Sequence, residues 1–400
     1  MFTRLAKPNH DIRSILQKSF SISSQVKNNH QHPHRHHPVH HHQHPVHHSP
    51  HKVAVLGAGG AVAQPLSLLL KNSSKVGRLC LYDVVHSPGV AADLSHIDTR
   101  TVVTGYLGNV QLEPCLSKSD VVLITAGIPR KPGMTEDEQF NTNAEIVKDL
   151  VSACADFCPK AMICIITNPV NSTLPLAAEV LKKKGVFDEK RLFGMTALNL
   201  SRAKAFVAEA VGCNVTKLVV PVVGGNSGIT IVPLISQSIP PVDLSQVSTS
   251  NVTKLVVPVV GGNSGITIVP LISQSIPPVD LSQEERKKII QKLQNADTEI
   301  IETKASTGSA TLSMAHAAAK FTLSLLAAID GEEGQVESAY VKSEETTSPY
   351  LATPLLLGGE GIVKNLGMSS LDEFETEMVK AALPELIRNI QKGIDYANKS

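Results

Sequence analysis

The chain has 400 residues, of which 42% are apolar, and its formal net charge at neutral pH is +1. A chain of this length and apolar content can bury a large core, which we expect to be divided between two linked subdomains. The near-neutral charge gives no electrostatic basis for binding nucleic acid or a membrane surface, and no apolar run approaches 18 residues. These properties predict a soluble globular protein.

The six cysteines show no CxxC spacing, and most of them lie in apolar segments. This distribution predicts buried, reduced thiols, with a metal or disulfide role as the alternative, and we expect no metal site. The six are Cys80, Cys115, Cys154, Cys158, Cys164 and Cys213.

Two unusual segments precede the first predicted strand. Residues 1–29 carry five basic residues, one acid and a cluster of serines, which is typical of a mitochondrial transit peptide and predicts the mitochondrial matrix. A disordered tail is the alternative. Residues 30–51 hold twelve of the sixteen histidines, interleaved mainly with Pro, Gln and Val. This composition predicts a disordered low-complexity linker, with weak metal binding as the alternative.

An apolar strand (53–56), a glycine turn (57–63), a helix (64–71) and a second strand (78–82) then follow one another, and Asp83 ends the second strand. This order is typical of a dinucleotide-binding unit, in which the glycines admit a pyrophosphate and the acid binds the adenosine ribose. A carboxylate disfavours a 2′-phosphate, so the predicted cofactor is NAD; a purely structural turn is the alternative. The fingerprint positions are Gly57, Gly60 and Ala63.

Strand and helix patterns continue to alternate. We predict strands at 120–125 and 162–167, a helix at 143–157, and a loop at 128–135 after a strand end, where doubly wound sheets bind ligands. The alternation predicts an α/β fold, a doubly wound parallel sheet of the Rossmann type, followed by a mixed α+β domain.

The second half of the chain contains helices and antiparallel strands. Helices are predicted at 284–304, 311–329 and 370–397, and antiparallel strands at 336–343 and 348–357. His316 lies on the long apolar helix, and we interpret it as a packed core residue.

Five motifs in this order resemble those of the lactate/malate dehydrogenase family, in particular its mitochondrial-type NAD-dependent malate dehydrogenases. The resemblance spans residues 52–398. It implies a Rossmann domain (52–196), a substrate domain (197–400), and hydride transfer between malate and oxaloacetate in the tricarboxylic acid cycle. It also implies a homodimer, with a heterodimer formed with a paralogue as the alternative. The motifs are Asp83–Ile97, Ile128–Met134, Phe140–Asn143, Ile166–Thr173 and Gly308–Met314.

Several positions match the family's site residues. The resemblance implies that Arg130 reads the distal carboxylate of a dicarboxylic acid, that Arg202 grips the proximal carboxylate, and that Asn168 hydrogen-bonds the substrate hydroxyl. A solvated surface charge is the alternative for a single arginine. The implied cofactor contacts are Asn143, Ile166, Asn168 and Met314, in addition to Gly57, Gly60, Ala63 and Asp83.

Three catalytic positions depart from the family. Asn226 stands at the position of the histidine base, Asn199 at that of the aspartate orienting it, and Glu136 at that of the second loop arginine. An amide cannot accept a proton at any useful pH, and loss of a general base typically costs about 10² to 10⁴ in rate. Outside the tail only His86, His96 and His316 remain, and none lies in a motif that could substitute.

The sequence therefore supports three hypotheses. The first is a malate dehydrogenase with impaired activity. The second is a pseudoenzyme that binds NAD and acts as a structural or hetero-oligomeric partner. The third is an enzyme with an altered substrate, in which Glu136 attracts a cationic or neutral hydroxy acid.

Residues 214–246 recur without change at 251–283, joined by the linker 247–250. Two copies do not make a repeat array, so one copy is surplus, through a recent duplication or an error in assembling the gene. Both copies carry the amide, as Asn226 and Asn263, so the duplication does not restore a base. Only one copy can lie beside the nicotinamide pocket, and we predict that the other forms a poorly anchored hairpin or loop.

Overall fold

The fold was analysed in a computed structural model. It describes residues 50–129, 133–210, 212, 222–224, 231–233, 259–261, 268–270, 282–304, 308–368, 371 and 373–399.

The first half of the chain alternates strands and helices. Its strands are β1 (Lys52–Leu56), β2 (Arg78–Asp83), β3 (Val102–Leu107), β4 (Val121–Ile124), β5 (Met162–Ile165) and β6 (Leu192–Gly194). Its helices are α1 (Ala63–Lys71), α2 (Ser87–Ser95), α3 (Leu112–Leu116), α4 (Glu136–Phe157), α5 (Val170–Lys183) and α6 (Ala197–Ala210).

The six strands of this half form a parallel sheet in the order β3-β2-β1-β4-β5-β6. Strands β1, β4 and β5 are buried along their whole length because helices cover both faces of the sheet. The strand order reverses between β1 and β4, so their carboxyl ends border the crevice where such sheets bind ligands. The predicted α/β Rossmann fold is confirmed.

The second half extends the same sheet with antiparallel strands. Strand β11 pairs with β6 and β12, and β12 pairs in turn with β13 and β7. The strands are β7 (Val222–Gly224), β8 (Ile231–Pro233), β9 (Val259–Gly261), β10 (Ile268–Pro270), β11 (Val336–Lys342), β12 (Tyr350–Gly358) and β13 (Gly361–Asn365). The helices are α7 (Gln283–Thr303), α8 (Leu312–Ile329) and α9 (Glu373–Lys399).

The two copies of the duplicated segment form the same hairpin in different places. Strands β7 and β8 of the first copy join the main sheet, where Gly224 pairs with Ala352 of β12. Strands β9 and β10 of the second copy form a separate two-stranded sheet that lies against the first hairpin and against α7 and α9. The described strands thus place the second copy outside the main sheet, as a hairpin; how firmly it is anchored stays a prediction.

Helix α8 lies in the core of the molecule. It is long and apolar enough to cross a membrane by length and composition alone, but 61% of it is buried inside the protein. The prediction that His316 is a core residue is wrong: it is exposed, because the buried face of α8 is formed by residues such as Met314, Ala315 and Phe321.

Local signals explain where several elements begin. Helix α4 begins at Glu136, seven residues earlier than predicted, because Thr135 and Glu138 form a reciprocal capping box. The backbone N–H of Thr135 donates a hydrogen bond to the Glu138 carboxylate at 2.7 Å, which lowers the pKa of Glu138. Strand β3 escaped prediction because most of its residues are at least partly exposed and give no apolar run.

Candidate active site

The glycine turn after β1 lies directly against the end of β4. Gly57 has a φ of +93°, and a Cβ built on it would lie 2.5 Å from the backbone of Ala126. Only glycine satisfies both the backbone angle and this close approach. The turn continues through Gly60, whose N–H donates to the carbonyl of Gly57 at 3.0 Å, and α1 begins at the buried Ala63. A backbone cradle at a helix N-terminus results, which fits a pyrophosphate.

Asp83 lies at the end of β2, beside this turn. Its Oδ2 accepts a hydrogen bond from the N–H of Gly59 at 2.8 Å, and its Oδ1 accepts one from the N–H of Val84 at 2.7 Å. These bonds hold the carboxylate at the mouth of the turn. The positions predicted to bind the adenosine half of a dinucleotide therefore come together in space.

Asn143 links the strand ends that follow β4 and β5. It is almost fully buried; its Oδ1 accepts from the N–H of Ile128 at 2.7 Å, and its Nδ2 donates to the carbonyl of Asn168 at 2.8 Å. The peptide between Asn168 and Pro169 is cis. Asn143 and Asn168, predicted from separate motifs, are thus direct neighbours.

The two remaining predicted cofactor residues are buried. Ile166 follows β5, and its N–H donates to the carbonyl of Ile124 at 2.9 Å. Met314 lies in the first turn of α8. Both belong to the apolar core cluster that also contains Val53 and Val55 of β1, so they line the same side of the sheet.

The predicted ligand-binding loop, residues 128–135, is described only in part. Arg130 lies outside the described residues, as do Asn226, Asn263 and Cys213. Glu136 begins α4, so its backbone is fixed at the base of the loop, within the capping box of Thr135. Asn226 follows the described strand β7 by two residues, and Asn263 follows β9 by the same interval.

Helix α6 carries Asn199 and Arg202 on its buried side. Asn199 is fully buried, and its N–H donates to the carbonyl of Thr196 at 2.9 Å. Arg202 is only 8% exposed, and its Nη2 donates to Oδ1 of Asp297 on α7 at 2.7 Å. Sequence reasoning missed Asp297, since no local pattern connects residues that lie 95 positions apart.

The other candidate reactive groups are exposed histidines and buried thiols, and one of them borders the glycine turn: a Cβ built on Gly59 would lie 3.1 Å from the Cβ of His86. His86 and His96 flank α2 and are exposed, as is His316. The five described cysteines are buried free thiols, as predicted. Burial raises the pKa of Cys115 and Cys164, so both remain protonated and unreactive at neutral pH.

Comparison with known proteins assigns the family. Residues 51–194 match the sequence model of the lactate/malate dehydrogenase NAD-binding domain, and residues 242–397 match that of the lactate/malate dehydrogenase α/β C-terminal domain. The chain belongs to the lactate/malate dehydrogenase family. Mitochondrial malate dehydrogenase of Felis catus is 52% identical over 396 residues, covering 99% of this chain and 98% of the relative. That of Homo sapiens is 47% identical over the same span.

Solved structures of the family share the fold. Malate dehydrogenase of Cryptosporidium parvum superimposes with a TM-score of 0.66 at 22% identity, covering 85% of this chain and 99% of that one. That of Plasmodium falciparum gives 0.65 at 24% identity, covering 86% and 99%. The family match, and not these structures, identifies residues 51–194 as an NAD-binding domain, so the cofactor is NAD.

The family match includes the second copy of the duplicated segment, whereas the main sheet contains the first. The C-terminal match begins at residue 242 and takes in the whole second copy, because only that copy is contiguous with everything downstream. The sheet pairs β12 with the first copy, which is contiguous with α6. Because the copies are identical in sequence, the strand pairing, and not the match, distinguishes them.

Proposed function

We propose that this chain is a malate dehydrogenase relative that binds NAD(H) but catalyses hydride transfer between malate and oxaloacetate poorly. One observation carries the proposal: amides stand at the positions of both the base and its orienting acid, and the second of them, Asn199, is fully buried next to α7. The alternative within this proposal is a pseudoenzyme with a structural or hetero-oligomeric role.

The chain's own residues divide between binding and chemistry. The turn from Gly57 to Gly60 and the N-terminus of α1 would hold the pyrophosphate, and Asp83 would bind the ribose hydroxyls. Bound NAD would supply the hydride acceptor. Asn143 would position Asn168, through the 2.8 Å bond to its carbonyl, to contact the substrate hydroxyl. The step that fails is removal of the hydroxyl proton, because Asn226 has no basic atom.

Steady-state oxidation of NADH by oxaloacetate tests the proposal. The full chain is compared with a triple variant, Asn226→His with Asn199→Asp and Glu136→Arg, which supplies the base, its orienting acid and a carboxylate-binding cation. We expect the variant to raise turnover about 10²-fold or more, because that is the ordinary contribution of a general base. NADH binding, followed by fluorescence, should be equal in the two proteins.

A matched control uses the duplication. The same triple variant with Asn263→His in place of Asn226→His makes the same change in the second copy, whose described strands β9 and β10 lie outside the main sheet, and we expect no gain in turnover. If turnover rises in the triple variant with Asn263→His but not in the one with Asn226→His, the second copy forms the site, and the proposed function still holds. Turnover of ordinary dehydrogenase size in the unaltered chain, or failure to bind NADH, would refute the proposed function.

We also propose that the protein works in the mitochondrial matrix, as a homodimer or with an active paralogue. Its relatives include mitochondrial malate dehydrogenases, and residues 1–29 have the composition of a transit peptide. An import assay with isolated mitochondria should show uptake and removal of the N-terminal segment. Uptake without the first 29 residues would show that the address lies elsewhere.

A further inference from the structure

Arg202, the cation that the family resemblance assigns to the proximal carboxylate of the substrate, is already paired with Asp297. We infer that Asp297 is a built-in carboxylate that takes the place of the substrate's proximal carboxylate on Arg202 and so excludes dicarboxylic acids from the site. This inference rests on the proposed function, because a malate dehydrogenase site needs a cation such as Arg202 for the proximal carboxylate. Asp297 lies outside the three replaced catalytic positions and determines which ligand the site accepts.

The position of Asp297 on its helix supports this role. On α7, Leu293 and Ala296 are 1% and 4% exposed, and Ile300 packs against the core. Residues 293, 297 and 300 follow helical spacing, so Asp297 lies on the face that α7 turns towards α6. The Asp297 side chain is 34% exposed, so it lies at the edge of this face, and it pairs with the buried guanidinium of Arg202 at 2.7 Å. The packing of α7 thus fixes the acid where it meets the guanidinium.

A ligand carboxylate that approaches Arg202 meets an unfavourable balance. If it displaces Asp297, it leaves a partly buried carboxylate without its cation; if it binds beside Asp297, it shares a guanidinium that is already neutralised. Either way two like charges lie close together, and at a few ångströms, with one of them partly exposed to solvent, their repulsion should cost about tenfold in affinity.

The sequence adds a second unfavourable charge. The resemblance implies three cations for a doubly charged substrate, and Glu136 replaces one of them with an anion. Restoring the three catalytic positions alone would leave Asp297 paired with Arg202.

Titration calorimetry with malonate, a dicarboxylate that cannot take part in hydride transfer, tests the inference. The full chain and its Asp297→Asn variant are titrated both with and without saturating NADH. Asparagine keeps the size and one hydrogen-bond acceptor of the side chain but removes the charge, so we expect malonate to bind about tenfold or more tightly to the variant. Asp297→Glu keeps the charge and should bind as weakly as the unaltered chain.

The control is Glu299→Gln, which makes the same change of charge on an exposed position of the same helix. It should leave malonate affinity unchanged, which separates a local effect of Asp297 from a change in net charge. Equal malonate affinity in Asp297→Asn and the unaltered chain would overturn the inference, and a fall in thermal stability without a gain in affinity would show a purely structural pair. Failure to bind NADH counts against the proposed function alone, because the ratio measured without NADH still decides the role of Asp297.

Discussion

The cofactor half and the substrate half of this molecule differ in what their sites are made of. Around the glycine turn the site depends mainly on backbone groups. The N–H of Gly59 donates a hydrogen bond to Asp83, and the backbone of Gly57 packs closely against that of Ala126. In the substrate half the site depends on the identity of a few side chains, among them Asn199 and Arg202. A site built from backbone persists as long as the fold does, whereas a site built from side chains can lose its chemistry without unfolding.

The largest loss of stability is expected from a substitution at Gly57, in the cofactor half. In Gly57→Ala the new methyl group would lie 2.5 Å from the backbone of Ala126, at a φ of +93°. Strain from the backbone angle and from the overlap together should lower the free energy of unfolding by about 3 kcal/mol. Urea unfolding measures the loss, and NADH binding should disappear with it.

Gly89→Ala is the matched control for that variant. Gly89 lies in α2, and a Cβ there meets nothing within 4 Å. Alanine should be neutral or stabilise the protein by about 0.5 kcal/mol, because it is the better helix former. If Gly57→Ala unfolds at the same urea concentration as Gly89→Ala, the turn is not the constrained element described above.

Sequence reasoning succeeded where the site is local and failed where it is not. The positions from Gly57 to Asp83 fall within one strand-turn-helix-strand unit, so their order along the chain already places them together. The Thr135-x-x-Glu138 signature was also present in the sequence, although the predicted start of α4 did not use it. The contact between Arg202 and Asp297 joins two helices far apart in the chain, and nothing in either helix alone signals it.

Burial on a helix was the other source of error. The apolar composition of α8 predicted its presence correctly but could not assign each residue to a face, and His316 proved to be exposed. A helix with alanine on several sides has a weak apolar stripe, so its polar residues cannot be oriented from spacing alone. The parallel strands were easier to predict, because burial on both faces makes them continuous apolar runs.

A smaller effect is expected at the contact between the two halves. Asp330, at the C-terminus of α8, accepts hydrogen bonds from His51 at 2.6 Å and from Lys75 at 3.2 Å. Partial burial acts to raise the pKa of Asp330, but the bonds from His51 and Lys75 outweigh it and lower the pKa. Asp330→Asn should lower the free energy of unfolding at pH 7 by about 1 kcal/mol, a modest value because the carboxylate is 35% exposed.

The pH dependence of that loss has a definite sign. A carboxyl group whose pKa is lowered by folding stabilises the protein above its unfolded pKa, and the stabilisation disappears as the pH falls through the folded value. The difference between Asp330→Asn and the unaltered chain should therefore be full at pH 7 and shrink below about pH 4. Asp156→Asn, at an exposed pair with Lys184, should cost less than about 0.5 kcal/mol at either pH. A difference that grows in acid would contradict the assignment.

The smallest effect is expected from removing one copy of the duplicated segment. Deleting residues 247–283 or residues 214–250 yields the same polypeptide, because the two copies are identical. The deletion leaves one hairpin to pair with β12, and the cofactor half is untouched. We expect NADH affinity to change less than about twofold and the melting temperature by less than about 2 °C. Loss of the fold would show that the hairpin outside the main sheet is an essential part of it.

The cap of helix α7, which follows the deletion, gives a second test of whether one copy is surplus. In the unaltered chain Ser282 caps α7 and accepts from the N–H of Glu285 at 3.3 Å. After the deletion Ser245 precedes Gln246, Glu284 and Glu285, so the same Ser-x-x-Glu signature is restored. Ser245→Ala in the shortened protein should then cost about 1 kcal/mol, as Ser282→Ala should in the full chain. Equal costs would mean that one copy supplies both the strand that pairs with β12 and the cap of α7. No cost in the shortened protein would mean that α7 begins elsewhere once one copy is removed.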